Sequence, residues 1–162
     1  MKPIQKWLDE YGESHQNPLN KKIHWVCVPA IMFSIIGLFW SIPHHYMPTL
    51  YDNIQLNWAM IITIIILTFY VRLSLMMALG MFVIGVFILF GNLLIENYFV
   101  TPLWIISLYI FVIAWIGQFI GHKIEGKKPS FFQDLQFLLI GPAWLLSFVY
   151  DKIGIKYQHN SD

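Results

Sequence analysis

Two short stretches of this sequence carry side chains that can bind or orient a metal ion. YGESHQNPLNKKIH, residues 11–24, gathers two histidines, two asparagines and a tyrosine at the threshold of a long apolar run. GQFIGHKIEGKKP, residues 117–129, places Gln118, His122 and Glu125 at the end of another. Asn20 and His24 are four apart and share one helix face, with Asn17 suited to cap that helix and Pro18 to its first position. Tyr11 and His15 are also four apart, on a preceding short helix that Asn17-Pro18 ends. Gln118, His122 and Glu125, at spacings of four and three, form one polar stripe on an otherwise apolar helix. Imidazole is a good ligand for iron, zinc or copper, and two or three histidines with a carboxylate leave positions open for substrate and oxygen. Asn20, Gln118 and Glu125 are then available to hold the ligands' remaining N–H groups. The competing reading is structural: histidines satisfied at a membrane boundary, and Glu125 paired on the surface with Lys127 and Lys128.

The elements that must position these residues are membrane helices. The 162 residues are 57% hydrophobic and 12% charged, with a mean hydropathy of +0.60, where about a quarter of residues would ordinarily be charged. Between Ile23 and Gly121 only Asp52, Arg72 and Glu96 carry formal charge. A soluble fold of this size has no interior large enough for so much apolar surface, so the expectation is a single all-α integral membrane domain over 1–162. Four transmembrane helices are expected at about 23–42, 56–71, 75–95 and 102–121. The apolar run from Leu56 to Ile95 is too long for one span and should turn near Arg72. A short helix precedes the first span. Residues 135–149, broken by Gly141-Pro142, read as an interfacial or re-entrant helix. Lysine and arginine alternate between the two sides as four spans with both termini cytoplasmic require, in a bacterial inner membrane or an endoplasmic reticulum. Both polar stretches then fall on one face of the membrane, and His44-His45 on the other. The N-terminus lacks the apolar core of a signal peptide and is expected to be retained.

One cysteine, Cys27, excludes an internal disulfide, and the net charge of +1 gives no electrostatic case for nucleic acid. Lys21, Lys22, Lys123, Lys127 and Lys128 suit headgroup anchoring, with Lys21 and Lys123 also placed to steer an anionic substrate. Asn92, Glu96 and Asn97 are expected to solvate the opposite face. Beside a mononuclear oxygenase, the same histidines fit another His-ligated metalloenzyme, with two metals or a hydrolytic one. They also fit a haem protein with His24 and His122 as axial ligands. A non-enzymatic small membrane protein is a further alternative; against a transporter, the middle of each span reads as lacking polar residues.

Taken together, Tyr11, His15, Asn20, His24 and Pro29, with Gln118, His122, Glu125, Pro129 and the later Gly141-Pro142, resemble the membrane-bound 2-hydroxy fatty acid dioxygenases. These are known from fungal phytosphingosine breakdown and have bacterial relatives. The resemblance spans nearly the whole chain. It implies an Fe2+-dependent α-oxidation in which a 2-hydroxy fatty acid reacts with dioxygen and yields the fatty acid one carbon shorter. It also implies His15, His24 and His122 as iron ligands, Asn20 and Glu125 as a ligand or its support, and Tyr11 as a hydrogen-bonding partner.

Overall fold

The computed structural model describes residues 3–51, 54–126 and 137–157. Pro129, Lys127, Lys128 and the beginning of the expected 135–149 helix lie outside them. Six helices are described: α1 Ile4–Gly12, α2 Pro18–Trp40, α3 Trp58–Leu73, α4 Leu75–Tyr98, α5 Leu103–Ile124 and α6 Ile140–Ile153. The connection after α2 holds a small antiparallel ribbon, β1 Thr49–Tyr51 with β2 Ile54–Gln55, which the all-helical expectation did not include.

Three helices, α2, α4 and α5, are long and apolar enough to cross a membrane. α3 is also apolar, but its 16 residues reach only about 24 Å at ~1.5 Å per residue, against a hydrocarbon core of about 30 Å. Outward faces are greasy. Phe82, Val83, Val86, Phe87 and Phe90 form an exposed stripe on α4, and Leu108, Val112, Ile113, Ile116 and Ile120 one on α5. Contiguous exposed apolar surface of this kind needs lipid or a partner to cover it.

α2 is the hub and packs along α5, α3, α4 and α6. It runs antiparallel to α5, and small residues hold the pair close. A Cβ at Gly117 would stand 2.5 Å from Cys27 Sγ, one at Gly121 would strike Asn20, and one at Gly37 would strike Ser107 Oγ and Asn92 Oδ1. The glycines of GQFIG, four apart, thus face α2, as small residues do where membrane helices approach closely.

The α3–α4 turn falls where the apolar run was expected to break, and Ser74 makes it. Ser74 is extended (φ −166°), its Oγ accepts from the Met77 N–H, and the same hydroxyl donates to the Tyr157 carbonyl at 2.6 Å. Tyr70 donates to the Leu139 carbonyl and Tyr150 to that of Met76, so α6 and the segment after it are fastened to this turn. Residues 140–147 are buried on every side of α6, as a helix set inside a protein must be. α1, α6, the start of α2 and the end of α5 therefore meet at one end of the bundle.

Two expectations are corrected here. Asn92 does not solvate the far face; it is fully buried, with Nδ2 donating to the carbonyls of Ile88 and Phe33. The helix interiors are also not free of polar groups, since Ser34, Asn92 and Ser107 are all buried where α2, α4 and α5 meet. Among the described residues, Asn92 Oδ1 and Ser107 Oγ have no hydrogen-bond partner. Periodicity hid these residues because each is a lone polar side chain turned inward on a helix that is apolar all round. The close approach at Gly37 predicts that Gly37→Val costs about 1–3 kcal/mol by overpacking. On a chain of this size that lowers the melting temperature in detergent by roughly 2–12 °C. Phe87→Leu, on the exposed stripe, should leave it within a degree or so of the parent; equal melting of Gly37→Val and the parent would contradict the packing.

Candidate metal centre

α1 buries Ile4, Leu8 and Tyr11, a one-face pattern that lays it across α6. It ends at Gly12, earlier than the expected break at Asn17-Pro18, so His15 stands in the following turn and not on the helix. Backbone and ring contacts hold His15 there. Its N–H reaches the Gly12 carbonyl at 2.9 Å, and its ring stacks on Tyr11 with centroids 4.2 Å apart and planes 13° from parallel. Trp144 of α6 closes over both rings.

α2 starts as the sequence requires. Asn17 caps it by accepting from the Leu19 N–H at 2.9 Å, and Pro18 opens the first turn. Asn20 and His24, one turn apart, both point inward. On α5, Gln118 and His122 are buried one turn apart in the same way.

His15, His24 and His122 come together at this junction. Each offers a ring nitrogen, and all three nitrogens lie within 4.8 Å of one another. Their exposures are 2%, 1% and 6%, so water does not compete for them. His15 Nδ1 lies 2.6 Å from the Tyr11 carbonyl, and His24 Nδ1 lies 3.0 Å from the Asn20 carbonyl. Carbonyls only accept, so both Nδ1 atoms carry the proton of the neutral ring. The two Nε2 lone pairs then face each other across 2.8 Å. Two lone pairs at that distance repel unless a shared proton or a metal ion lies against both. Neutral imidazoles anchored through Nδ1 and converging through Nε2 are a donor set for a divalent transition metal. The rings pack edge to face, His24 against His122 at 5.2 Å, which leaves no slot for a porphyrin between them.

Glu125 does not join the trio. It caps α5 and lies at the start of α2, where its carboxylate accepts from the backbone N–H of Gln16 (2.8 Å) and Asn17 (2.9 Å) and from Asn20 Nδ2 (2.9 Å). An anion at a helix N-terminus is favourably placed. Burial works to raise the Glu125 pKa, but hydrogen bonds from Asn20, Asn17 and Gln16 outweigh it and hold the carboxyl below its usual range. Glu125 thus staples the turn carrying His15 to the helix carrying His122.

Asn20 Nδ2 is fixed by two acceptors, Glu125 Oε2 and the Ser14 carbonyl. That leaves Oδ1 turned toward Gly121, fully buried and with no hydrogen-bond partner among the described residues. Lys21 is half-buried and Lys123 exposed, and the lysines do not belong to the cluster. Gly121, Trp144 and the backbone of residues 16 and 17 belong to the site without having been singled out from the sequence. GQFIG was a readable sign of Gly121; Trp144, one of seven tryptophans, carried none.

Apolar helices enclosing a buried trio of histidines able to take a metal ion define the class of protein. Comparison with known proteins gives the family. Over residues 1–153 the chain belongs to the Mpo1-like family, described as 2-hydroxy-palmitic acid dioxygenase Mpo1-like. It is similar to the 2-hydroxy-palmitic acid dioxygenase MPO1 of Saccharomyces cerevisiae, at 29% identity over 153 residues that cover 93% of this chain and 82% of the yeast protein. No solved structure matches.

The staple yields a prediction that needs no metal. Glu125→Ala removes the shared acceptor of Gln16 and Asn17, and hydrogen bonds to a charged group are worth about 1.5–3 kcal/mol. Amide exchange at Gln16 and Asn17 should quicken by roughly tenfold or more while that of α4 stays unchanged. Unaltered exchange at both amides would show that Glu125 does not hold this turn.

Proposed function

We propose that this chain is an iron(II)-dependent dioxygenase that shortens 2-hydroxy long-chain fatty acids by one carbon. The observation that carries the reading is the convergence of three buried imidazoles in a member of the Mpo1-like family. The net reaction balances without a further reductant. The C1–C2 bond breaks, the alcohol and carboxyl carbons lose four electrons to dioxygen, and the carboxyl carbon leaves as carbon dioxide with one water.

His15, His24 and His122 would hold the metal, which when bound would supply Lewis acidity toward the 2-hydroxy carboxylate and one-electron chemistry toward oxygen. The chain's own groups prepare the site for it. The Tyr11 and Asn20 carbonyls lock the His15 and His24 tautomers so that Nε2 faces inward. Asn20 Oδ1 offers an uncommitted acceptor beside the imidazoles, suited to the substrate's hydroxyl proton or to the metal's coordination shell. Tyr11 has its hydroxyl near Gly141 on the wall of the adjoining cleft, where it can donate to a carboxylate. Lys21 and Lys123, next in sequence to Asn20 and His122, raise the local concentration of an anionic substrate. Burial by α1 and α6 keeps bulk water from the reacting groups.

For the membrane, the proposal is one domain over 1–162 with α3 as a fourth, shorter span and both termini in the cytoplasm. Lys6, Lys21, Lys22, Arg72, Lys123, Lys152 and Lys156 all belong to the segments at the histidine end of the bundle, and a basic end faces the cytoplasm. A site at that surface suits a substrate that is half lipid.

The test is elemental analysis of anaerobically purified protein followed by 2-hydroxypalmitate and oxygen. About one iron per chain, pentadecanoate as product and one dioxygen consumed per product are expected. Metal-loaded protein that makes no pentadecanoate would refute the reaction. His24→Ala and His122→Ala should each lose both metal and turnover, and full metal occupancy in either variant would refute the ligand assignment.

A further inference from the structure

A narrow cleft with about 630 Å³ of atom-free space, its open mouth included, adjoins the histidines. Its polarity is graded. Tyr11 and Gln118 stand at the histidine end, Tyr11 stacked on His15 and Gln118 one turn before His122. Val28, Ile31 and Trp115 wall its middle, and Ile35 and Ile36 of α2 with Ile66 of α3 lie furthest along it. Among the described residues, no charged side chain lines it. From His24 to Ile36, α2 advances twelve residues, about 18 Å at ~1.5 Å per residue.

We propose that this cleft holds the acyl tail and that Ile35, Ile36 and Ile66 set the chain length the enzyme accepts. The inference rests on the dioxygenase reading for the identity of the head group. The occupant follows from shape and polarity. A slot with a polar end at the imidazoles and an apolar far end fits a single-chain amphiphile whose head lies at the metal. A charged headgroup inside it would lack a counter-ion among the described residues. With the head held at the histidines, a tail that outruns Ile36 must fold back or pull its head away from them. A tail too short leaves apolar wall uncovered. Ile36 is 2% exposed, packed against its neighbours with nowhere to swing, so its volume is felt by whatever reaches it.

The test uses the full chain in detergent with saturated 2-hydroxy acids from 2-hydroxyoctanoate to 2-hydroxystearate. Ile36→Phe should move the turnover optimum to shorter acids and Ile36→Ala to longer ones. The ratio between neighbouring substrates should change roughly tenfold, as one misfitted methylene does in an apolar pocket. Because a larger residue at this site can unfold the bundle, a second measurement leaves the sequence intact. A palmitate analogue carrying a diazirine at its ω end, irradiated under anaerobic conditions, should label Ile35, Ile36 or Ile66. Labelling confined to lipid-facing residues such as Phe87 or Val112, or an unmoved optimum in both folded variants, would overturn the ruler. Correct labelling with no turnover of any acid would leave the acyl site standing and overturn the dioxygenase reading instead.

Discussion

Two imidazole lone pairs directed at one another across 2.8 Å, in a place water does not reach, are unstable alone. His15 and His24 are held in that posture because each donates its Nδ1–H to a backbone carbonyl of its own segment. Neither ring can flip to relieve the repulsion without abandoning its hydrogen bond to that carbonyl. The local backbone thus creates a demand for positive charge, and His122 adds a third nitrogen where that demand is greatest. Everything else at this end of the bundle serves to keep the three rings there.

The scaffold meets that need by an economy of contacts. α2 and α5 run antiparallel and close because Gly117 and Gly121 present no side chains to Cys27 and Asn20. That brings the first turn of α2 beside the last turn of α5. Glu125 then spans the gap, one carboxylate serving three donors from the turn and from Asn20. α1 and α6 cover the result with Tyr11 and Trp144, whose rings lie against His15. The cleft leaves from the same junction and runs inward along α2, so the proposed head-group chemistry and the proposed tail site share one helix.

Much of this was legible in the sequence because it depends on local spacing. The Asn17 cap, the Pro18 start, the Asn20–His24 and Gln118–His122 faces and the turn near Arg72 each follow from rules that act within a few residues. The meeting of the two polar stretches at one end followed from the alternation of lysines. What escaped the sequence depends on contacts between distant segments. The end of α1 at Gly12 is decided by the His15 turn. The burial of Asn92 is decided by Gly37 on another helix, and nothing in an apolar run announces which face a lone asparagine will take. The role of Glu125 as a staple follows from three N–H groups more than a hundred residues earlier. The length of α3 shows a different limit, since apolar composition marks a span more readily than it fixes where the helix starts and stops.

The central claim is that one ion is shared by His15, His24 and His122. X-ray absorption at the edge of the metal that accompanies anaerobically purified protein tests it most directly. The account predicts the multiple-scattering signature of three imidazoles on a single metal. A metal bound through sulfur, or surrounded by oxygen with no imidazole scattering, would contradict it.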